Sequence, residues 1–317
     1  ISSFLVHPQR RYFFSIAKRI IEMSEKNSKN VEFKPSEPKL AATVLICREI
    51  EHQRDGFDYE ILFVKRREAA RFMPGYHVFP GGITETSDEL PEKHPLLPSP
   101  LPNVLKEQRM RTLRFAAARE VFEESNVLLC DPIVPQELLE KWRPIVLKDC
   151  SQFSNMCMEL QCKPIWDTLF EWARWITPEQ ERYRYDTYFY MIPIKKSRQL
   201  DASHDEKEVT SHDWITPKEA LQQYEQGKIK LAPPTWVMIA ELVSYPSLDS
   251  LISVGRNGRD MTPVMPRFSM GDNNIVLSLP GDKDSDNPVS NDFLRRLIIV
   301  PGESFKFVSS TPQAKPW

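Results

Sequence analysis

No apolar run in the chain approaches the roughly 18 residues that signal a membrane-spanning helix, so no membrane span is expected. Neither sign of charge dominates. The 42 Lys and Arg against 44 Asp and Glu leave a formal net charge of −2, too small to draw the chain toward nucleic acid or an anionic membrane surface. Cysteines are few. Cys47, Cys130, Cys150, Cys157 and Cys162 are odd in number, irregular in spacing and form no CxxC pair. That argues against a disulfide framework or a zinc site and for reduced thiols. There is no internal repeat. Acidic side chains are missing from the first 21 positions, where Arg10, Arg11, Lys18 and Arg19 stand among Phe4, Leu5, Phe13, Phe14, Ile16, Ile20 and Ile21. This is the basic, amphipathic composition of a mitochondrial transit peptide, with a plain basic surface helix as the other reading. The final residues read QAKPW, not an SKL-type peroxisomal address.

What the chain does have is length and proline. Its 317 residues, 41% hydrophobic and 27% charged, suit one large or two modest globular domains with a sizeable core. Residues 24–38 are polar and read as a linker. LAATVLIC (40–47) and YEILFVKR (59–66) read as strands joined through a turn at Asp55-Gly56, and YHVFPGG (76–82) as a short strand ending in a glycine turn. PEKHPLLPSPLPN (91–103) holds five prolines in 13 residues. Neither a helix nor a central strand can run through it, so it is expected to be an exposed insert. A helix is expected over 105–125, closed by Asn126, which tolerates the left-handed conformation that ends many helices. Residues 135–174 are expected to be mostly helical, 185–194 a strand and 201–208 a polar acidic loop. A helix over 216–227 carries a Thr216/Glu219 capping box, Pro217 in its first turn and Gly227 as its stop. A further helix is expected over 235–245, followed by a turn-rich tail with strand-like NIVLSLPG and LIIVPG.

The stretch that raises a chemical question is FAAAREVFEES (115–125). At about 100° per residue, Glu124 lies about +40° and Glu123 about −60° from Glu120, so three carboxylates share one face. Phe115, Ala118, Val121, Phe122 and Ser125 gather on the other side. Like charges three and four residues apart cost roughly 0.2–0.5 kcal/mol per pair. A bound divalent cation reverses that sign, and hard carboxylate oxygens suit Mg²⁺ or Mn²⁺. Read alone, the run is equally a solvated acidic helix face.

Upstream, FPGG (79–82) adds a second half. Together these residues resemble the Nudix hydrolase signature, G-x5-E-x7-R-E-U-x-E-E-x-G-U, with U a bulky apolar residue. Gly82 stands at the first glycine, and Arg119, Glu120, Val121, Glu123, Glu124 and Val127 match its second half in register. Asp88 stands where the family has glutamate, and Asn126 replaces the late glycine. Arg119 follows Gly82 by 37 residues, about 23 more than the signature allows, and the proline-rich segment supplies the excess. Such a loop can leave its flanks in place, because closure entropy grows slowly with length.

An insert in the box is a feature of the Nudix subfamily that contains peroxisomal and mitochondrial coenzyme A diphosphatases. RFMPGYHVFPGG, RYDTYFY (184–190), LAPP (231–234) and LPGD (279–282) resemble it as well. LFVKRREAARFMPGYHVFPGG (62–82) resembles the coenzyme A motif L-L-T-x-R-[SA]-x3-R-x3-G-x3-F-P-G-G. Leu62, Arg66, Arg71, Gly75, Phe79, Pro80, Gly81 and Gly82 match it, while Phe63, Val64 and Arg67 depart. Arginine forks pair with phosphate oxygens, which suits such a substrate.

The resemblance implies an α+β fold, a Nudix α/β/α sandwich with a mixed sheet, an insert at about 89–111 and a C-terminal extension. Its domains would be a basic segment and linker over 1–38, a Nudix domain over 39–232 and the extension over 233–317. It implies a metal-dependent hydrolase of coenzyme A or acyl-coenzyme A, releasing 3′,5′-ADP and (acyl-)4′-phosphopantetheine. Another nucleoside diphosphate substrate (ADP-ribose, a nucleotide sugar, capped RNA) or an inactive ligand-binding module stands as the alternative. Glu120, Glu123 and Glu124 would hold Mg²⁺ or Mn²⁺, helped by a backbone carbonyl near Gly81. Arg119 would complete the catalytic set by orienting a carboxylate such as Asp88. Arg66, Arg71, Gly75, Phe79, Gly81 and Gly82 would meet the substrate. A box glutamate, Glu206 or Glu208 would serve as base. His77 and His204 are expected in structural or surface roles, and Phe72, Met73 and Trp214 in the core or the pocket. The expected partner is a small coenzyme A-like diphosphate, not nucleic acid. The compartment would be mitochondrial, with peroxisomal or cytosolic as alternatives.

Overall fold

The computed structural model describes residues 35–70, 73–196, 209–271, 274–300 and 306–310, with the backbone only at 209 and 210. The basic segment 1–21, most of the linker, Arg71, Phe72 and the acidic loop 201–208 lie outside the described residues.

The chain begins with β1 (Lys39–Arg54), β2 (Phe57–Arg66), β3 (His77–Val78) and β4 (Gly81–Ile83), then enters the long helix α1 (Gln108–Ser125). β5 (Cys130–Asp131), α2 (Gln136–Lys148), α3 (Gln152–Glu159) and β6 (Lys163–Pro164) follow, then β7 (Phe170–Ile176), β8 (Tyr185–Ile194) and β9 (Val209–Ile215). The remainder is α4 (Pro217–Glu225), α5 (Pro233–Leu242), α6 (Leu248–Arg256), β10 (Arg267–Met270), β11 (Ile275–Ser278), β12 (Arg295–Ile299) and β13 (Lys306–Ser309).

The central sheet runs β3-β2-β1-β8-β7, with β4 paired to the early part of β1 and β9 to β2. β1 and β8 are parallel; the other pairs are antiparallel. A parallel pair needs a long crossover, and α1 to α3 lie within it. β1 reads as one apolar run because both its faces are covered. Ala42, Val44 and Ile46 pack with Tyr188, Tyr190 and Ile192 under Leu113, Ala116, Ala117 and Val121 of α1. Leu45 and Cys47 point the other way, into a cluster with Phe189, Met191 and apolar side chains of α4, α5 and α6. The result is the expected α+β sandwich around a mixed sheet. No helix among the described residues is long and apolar enough to cross a membrane.

Three local expectations need correction. The proline-rich insert is not simply exposed. Leu90, Leu96, Leu97 and Leu105 are buried in a second core with Phe115, Phe122, Phe153 and Trp166. Proline prevents ladder hydrogen bonding without preventing burial of the leucines between prolines. The carbonyls find other donors, as buried backbone must. Arg111 donates to Leu90 O at 3.1 Å and Leu105 O at 2.7 Å, and Trp166 Nε1 donates to Leu96 O at 3.2 Å. Second, α1 starts at Gln108, after a separate 3-10 turn at Asn103–Leu105. It therefore takes in the last residues of the expected insert. Third, residues 135–174 are helical only to Glu159. FEWARWI, rich in aromatics that favour strands, forms β7 at the sheet edge against β8.

The tail is antiparallel, in the order β10-β11-β12-β13. Its Phe268, Ile275, Leu277, Leu279 and Leu297 share one buried cluster with the central sheet. α4 carries the expected cap, with Thr216 Oγ1 accepting the Glu219 N–H at 3.2 Å.

Candidate active site

The last two turns of α1 deliver the carboxylates. Asn126, at φ 58°, ends the helix in the left-handed conformation, with its N–H on Phe122 O. Glu120 and Glu124 are buried and Glu123 is half-buried. The helix is not two-faced as the wheel suggested. Residues 111–122 are all buried, because the sheet covers one side of α1 and the insert core another.

Arg119 organises the group. Its Nε and Nη2 donate to Asp88 Oδ1 and Oδ2 at 2.9 and 2.8 Å, and Nη2 also reaches Ile83 O at 3.0 Å. Nη1 donates to Glu120 Oε1 at 2.8 Å and to both oxygens of Glu123 at 3.2 Å. Asp88 sits in a 3-10 turn, Thr86–Asp88, and accepts the Glu85 N–H at 2.8 Å. That turn brings the shorter side chain within reach of Arg119. Glu124 Oε2 accepts the Gly81 N–H at 2.9 Å.

The two glycines make room. A Cβ on Gly82 would fall 2.6 Å from the Glu120 carboxyl, and one on Gly81 would fall 2.4 Å from Ala42 O. Side chains at either position would separate β4 from its neighbours.

Burial pushes the Glu120 carboxyl up to about 8, and the charges of Glu123 and Glu124 add to the rise while Arg119 opposes it. Burial alone would lower Arg119, but the hydrogen bond to Asp88 and the charges of Glu120, Asp88 and Glu123 outweigh it, so it stays protonated. Arg119 thus does not offset burial and the neighbouring carboxylates at Glu120, whose ionised form is left short of positive charge. A hard divalent cation suits such an oxygen set. Among the described residues no three acidic, His or Cys side chains converge as a ready-made metal cage. Arg119 engages Glu120 and Glu123, and the Gly81 amide engages Glu124.

These groups open on a cavity of about 550 Å³. Its floor is one face of the sheet: Ala41 and Thr43 of β1, and Tyr185, Thr187 and Phe189 of β8. The period-2 alternation of a strand puts those three β8 residues on one side.

Residues 99–242 match the family model described as the NUDT19 Nudix domain. Over 306 residues the chain is 31% identical to the acyl-coenzyme A diphosphatase NUDT19 of Xenopus laevis, covering 77% of this chain and 80% of that protein. This chain belongs to the NUDT19 family of Nudix hydrolases. The human protein of the same name is 28% identical over 301 residues, covering 78% of this chain and 80% of its own. A solved Nudix hydrolase from Alicyclobacillus acidocaldarius superposes with a TM-score of 0.56 at 20% identity, covering 69% of this chain and 96% of that one. At that identity the likeness speaks for the fold.

Within this Nudix hydrolase, Arg119, Glu120, Glu123, Glu124, Gly81, Gly82, Phe79 and Arg66 all line the cavity. Arg71 lies outside the described residues, as do Glu206, Glu208, His204 and Phe72. Gly75 is not among the lining residues. It turns the chain between β2 and β3 at φ +69°, donating to Arg66 O at 3.1 Å. A Cβ there would strike the Glu68 carboxylate at 2.3 Å. Met73 lines the cavity, whereas Trp214 lies beneath the Arg48 guanidinium at 3.9 Å. His77 is buried, 3.5 Å from the Asp213 carboxylate, a structural position. The sequence reading missed Glu85, Glu181, Trp175, Phe268 and Leu277 as cavity residues. RYDTYFY and LAPP, which carry part of the family resemblance, contribute Tyr185, Thr187, Phe189, Ala232, Pro233 and Pro234 to the lining.

Proposed function

We propose that this Nudix hydrolase cleaves the diphosphate of coenzyme A or acyl-coenzyme A to 3′,5′-ADP and (acyl-)4′-phosphopantetheine. The observation that carries the reading is one cavity holding the box glutamates together with Arg66, in a chain whose relatives are named acyl-coenzyme A diphosphatases.

Nudix hydrolases act with a divalent metal; here it would be Mg²⁺ or Mn²⁺, held by Glu120, Glu123 and Glu124. When bound, the metal supplies charge neutralisation at the diphosphate and a more acidic water. The chain's own residues prepare the site. Asp88 fixes Arg119, and Arg119 fixes the Glu120 and Glu123 carboxylates, so they do not have to be ordered during the reaction. The Gly81 amide holds Glu124. The Arg66 guanidinium binds phosphate oxygens through its N–H fork. Water oxygen adds to one phosphorus as the bridging P–O bond breaks, and the bridging oxygen leaves on the other phosphate.

Glu124→Gln assayed with Mn²⁺ and coenzyme A should lose about 100-fold or more in turnover, the scale of removing one preorganised charged group. Turnover near wild type would sink the metal assignment. A product screen in which only ADP-ribose, nucleotide sugars or capped RNA are cleaved would overturn the substrate. The acid-free, basic stretch over 1–21 supports a mitochondrial location. Fused to a fluorescent reporter, residues 1–21 should direct it there, and a cytosolic or peroxisomal signal would refute that.

A further inference from the structure

The cavity is chemically lopsided. Glu120 and its neighbours reach it beside β4, where Gly82 pairs with Ala42 and Ile83 with Ala41. Across the same row, Ala41 pairs with Thr187 of β8 and Thr187 with Trp175 of β7. Three strand spacings, about 14 Å, separate Ile83 from Trp175. Toward that far side the lining carries Trp175, Phe189, Pro266, Phe268 and Leu277, with Thr177, Glu181 and Tyr185 as its polar members. Phe268 and Leu277 face each other in register on β10 and β11. Both come from the C-terminal extension, to which the sequence assigned no role.

A second detail concerns the start of α5, which follows the bridge of Leu231 to His77 of β3 and so lies across the cavity from β7. A helix start usually offers free N–H groups to anions. α5 begins with Pro233 and Pro234, which have no N–H, so it presents ring carbons to the cavity. The only arginines among the described lining residues are Arg66 and Arg119, and Arg119 is committed to Asp88. Coenzyme A has a charged nucleotide arm and a neutral arm ending in a thiol or thioester. Arg66 suits the first, and the apolar wall suits only the second.

Resting on the diphosphatase reading, we propose that the C-terminal sheet closes an acyl-chain site in this cavity, in which Phe268 and Leu277, with Trp175 and Phe189, set the length of acyl chain accepted. The extension is then part of the substrate site.

The test is kcat/KM for free, acetyl-, hexanoyl- and dodecanoyl-coenzyme A with the wild-type protein and two variants. In the wild type, kcat/KM rises by about fourfold for each methylene seated, until the wall is filled. Leu277→Trp fills the wall and lowers the dodecanoyl-to-free ratio at least tenfold, the scale on which a pocket discriminates one or two methylenes. Phe268→Ala enlarges it and moves the best substrate to a longer chain. If Leu277→Trp does not fold, as judged by its melting curve, the wild-type series and Phe268→Ala still decide. Cleavage of free coenzyme A with no dependence on acyl length, or variants that leave the length profile unmoved, overturns the acyl site and leaves the diphosphatase reading standing. Failure to cleave any coenzyme A species overturns both.

Discussion

Among the described residues Asp88 and Asp282 each hold an arginine by the same two-pronged contact, as Asp186 does Arg174. Asp88 and Asp282 are both fully buried. Asp88 takes Nε and Nη2 of Arg119. Asp282 takes Nε of Arg296 at 2.8 Å together with its Nη2. The difference lies in what else each partner holds. Arg119 spends its remaining donors on Glu120, Glu123 and Ile83 O. Arg296 gives only one more, to Asp284 at 3.0 Å. Asp282 itself accepts the Asp284 and Arg295 amides at 2.9 and 2.6 Å. One fork holds the box carboxylates of the candidate site; the other ties the LPGD turn to β12. The same geometry therefore says nothing of function until the spare donors are followed.

Breaking the first fork should have the larger effect. Arg119→Ala leaves the buried Asp88 charge without its counter-charge and with the Glu85 N–H alone, so roughly 3–5 kcal/mol of stability should go, and turnover should fall about 10- to 100-fold through loose Glu120 and Glu123. Arg119→Lys keeps the charge without the fork and should recover part of the stability but little turnover. Urea unfolding and the coenzyme A assay, run on the same samples, separate the two effects. The second fork should give a smaller, purely structural loss. Arg296→Ala leaves Asp282 its two backbone donors, so the cost should be about 1.5–3 kcal/mol, the worth of a charged hydrogen bond. Its kcat on free coenzyme A should stay within a few-fold of wild type. A turnover loss matching that of Arg119→Ala would erase the distinction between the two forks.

The arrangement of the candidate site was more legible in the sequence than its surroundings were. The carboxylate spacing on α1, the glycines that face them and the Asn126 stop are local, and each has a short-range physical reason. The Asp88–Arg119 contact could be anticipated because the resemblance assigns both positions, even across the insert. The buried leucines of the insert could not, because they follow neither the helical nor the strand period and are fixed by Arg111 and by Trp166, which lies 70 residues beyond Leu96. β7 was lost inside a helical expectation because its apolar residues gain their meaning only from the β8 edge. Leu277 was legible as a strand residue within NIVLSLPG and Phe268 was not, and nothing local tells that a tail strand lines a cavity built more than 200 residues earlier around Thr43.

Acid gives the gentlest way to separate the forks. Burial works against the ionised Asp282, but Arg296 and the Asp284 and Arg295 amides outweigh it and hold the carboxyl below its usual range. A carboxyl depressed in the folded state binds its proton more weakly there than in the unfolded chain, whose value is about 3.9. Its contribution is therefore complete above that value and drains away as pH falls toward the lower folded one. Urea midpoints measured from pH 6 downward should decline below about pH 5. Asp282→Asn should start lower at pH 6 and decline less steeply, because the group that titrates is gone. An equally steep acid decline in Asp282→Asn would mean that other carboxylates govern the acid limit, and that the LPGD tie is held by hydrogen bonding without the charge.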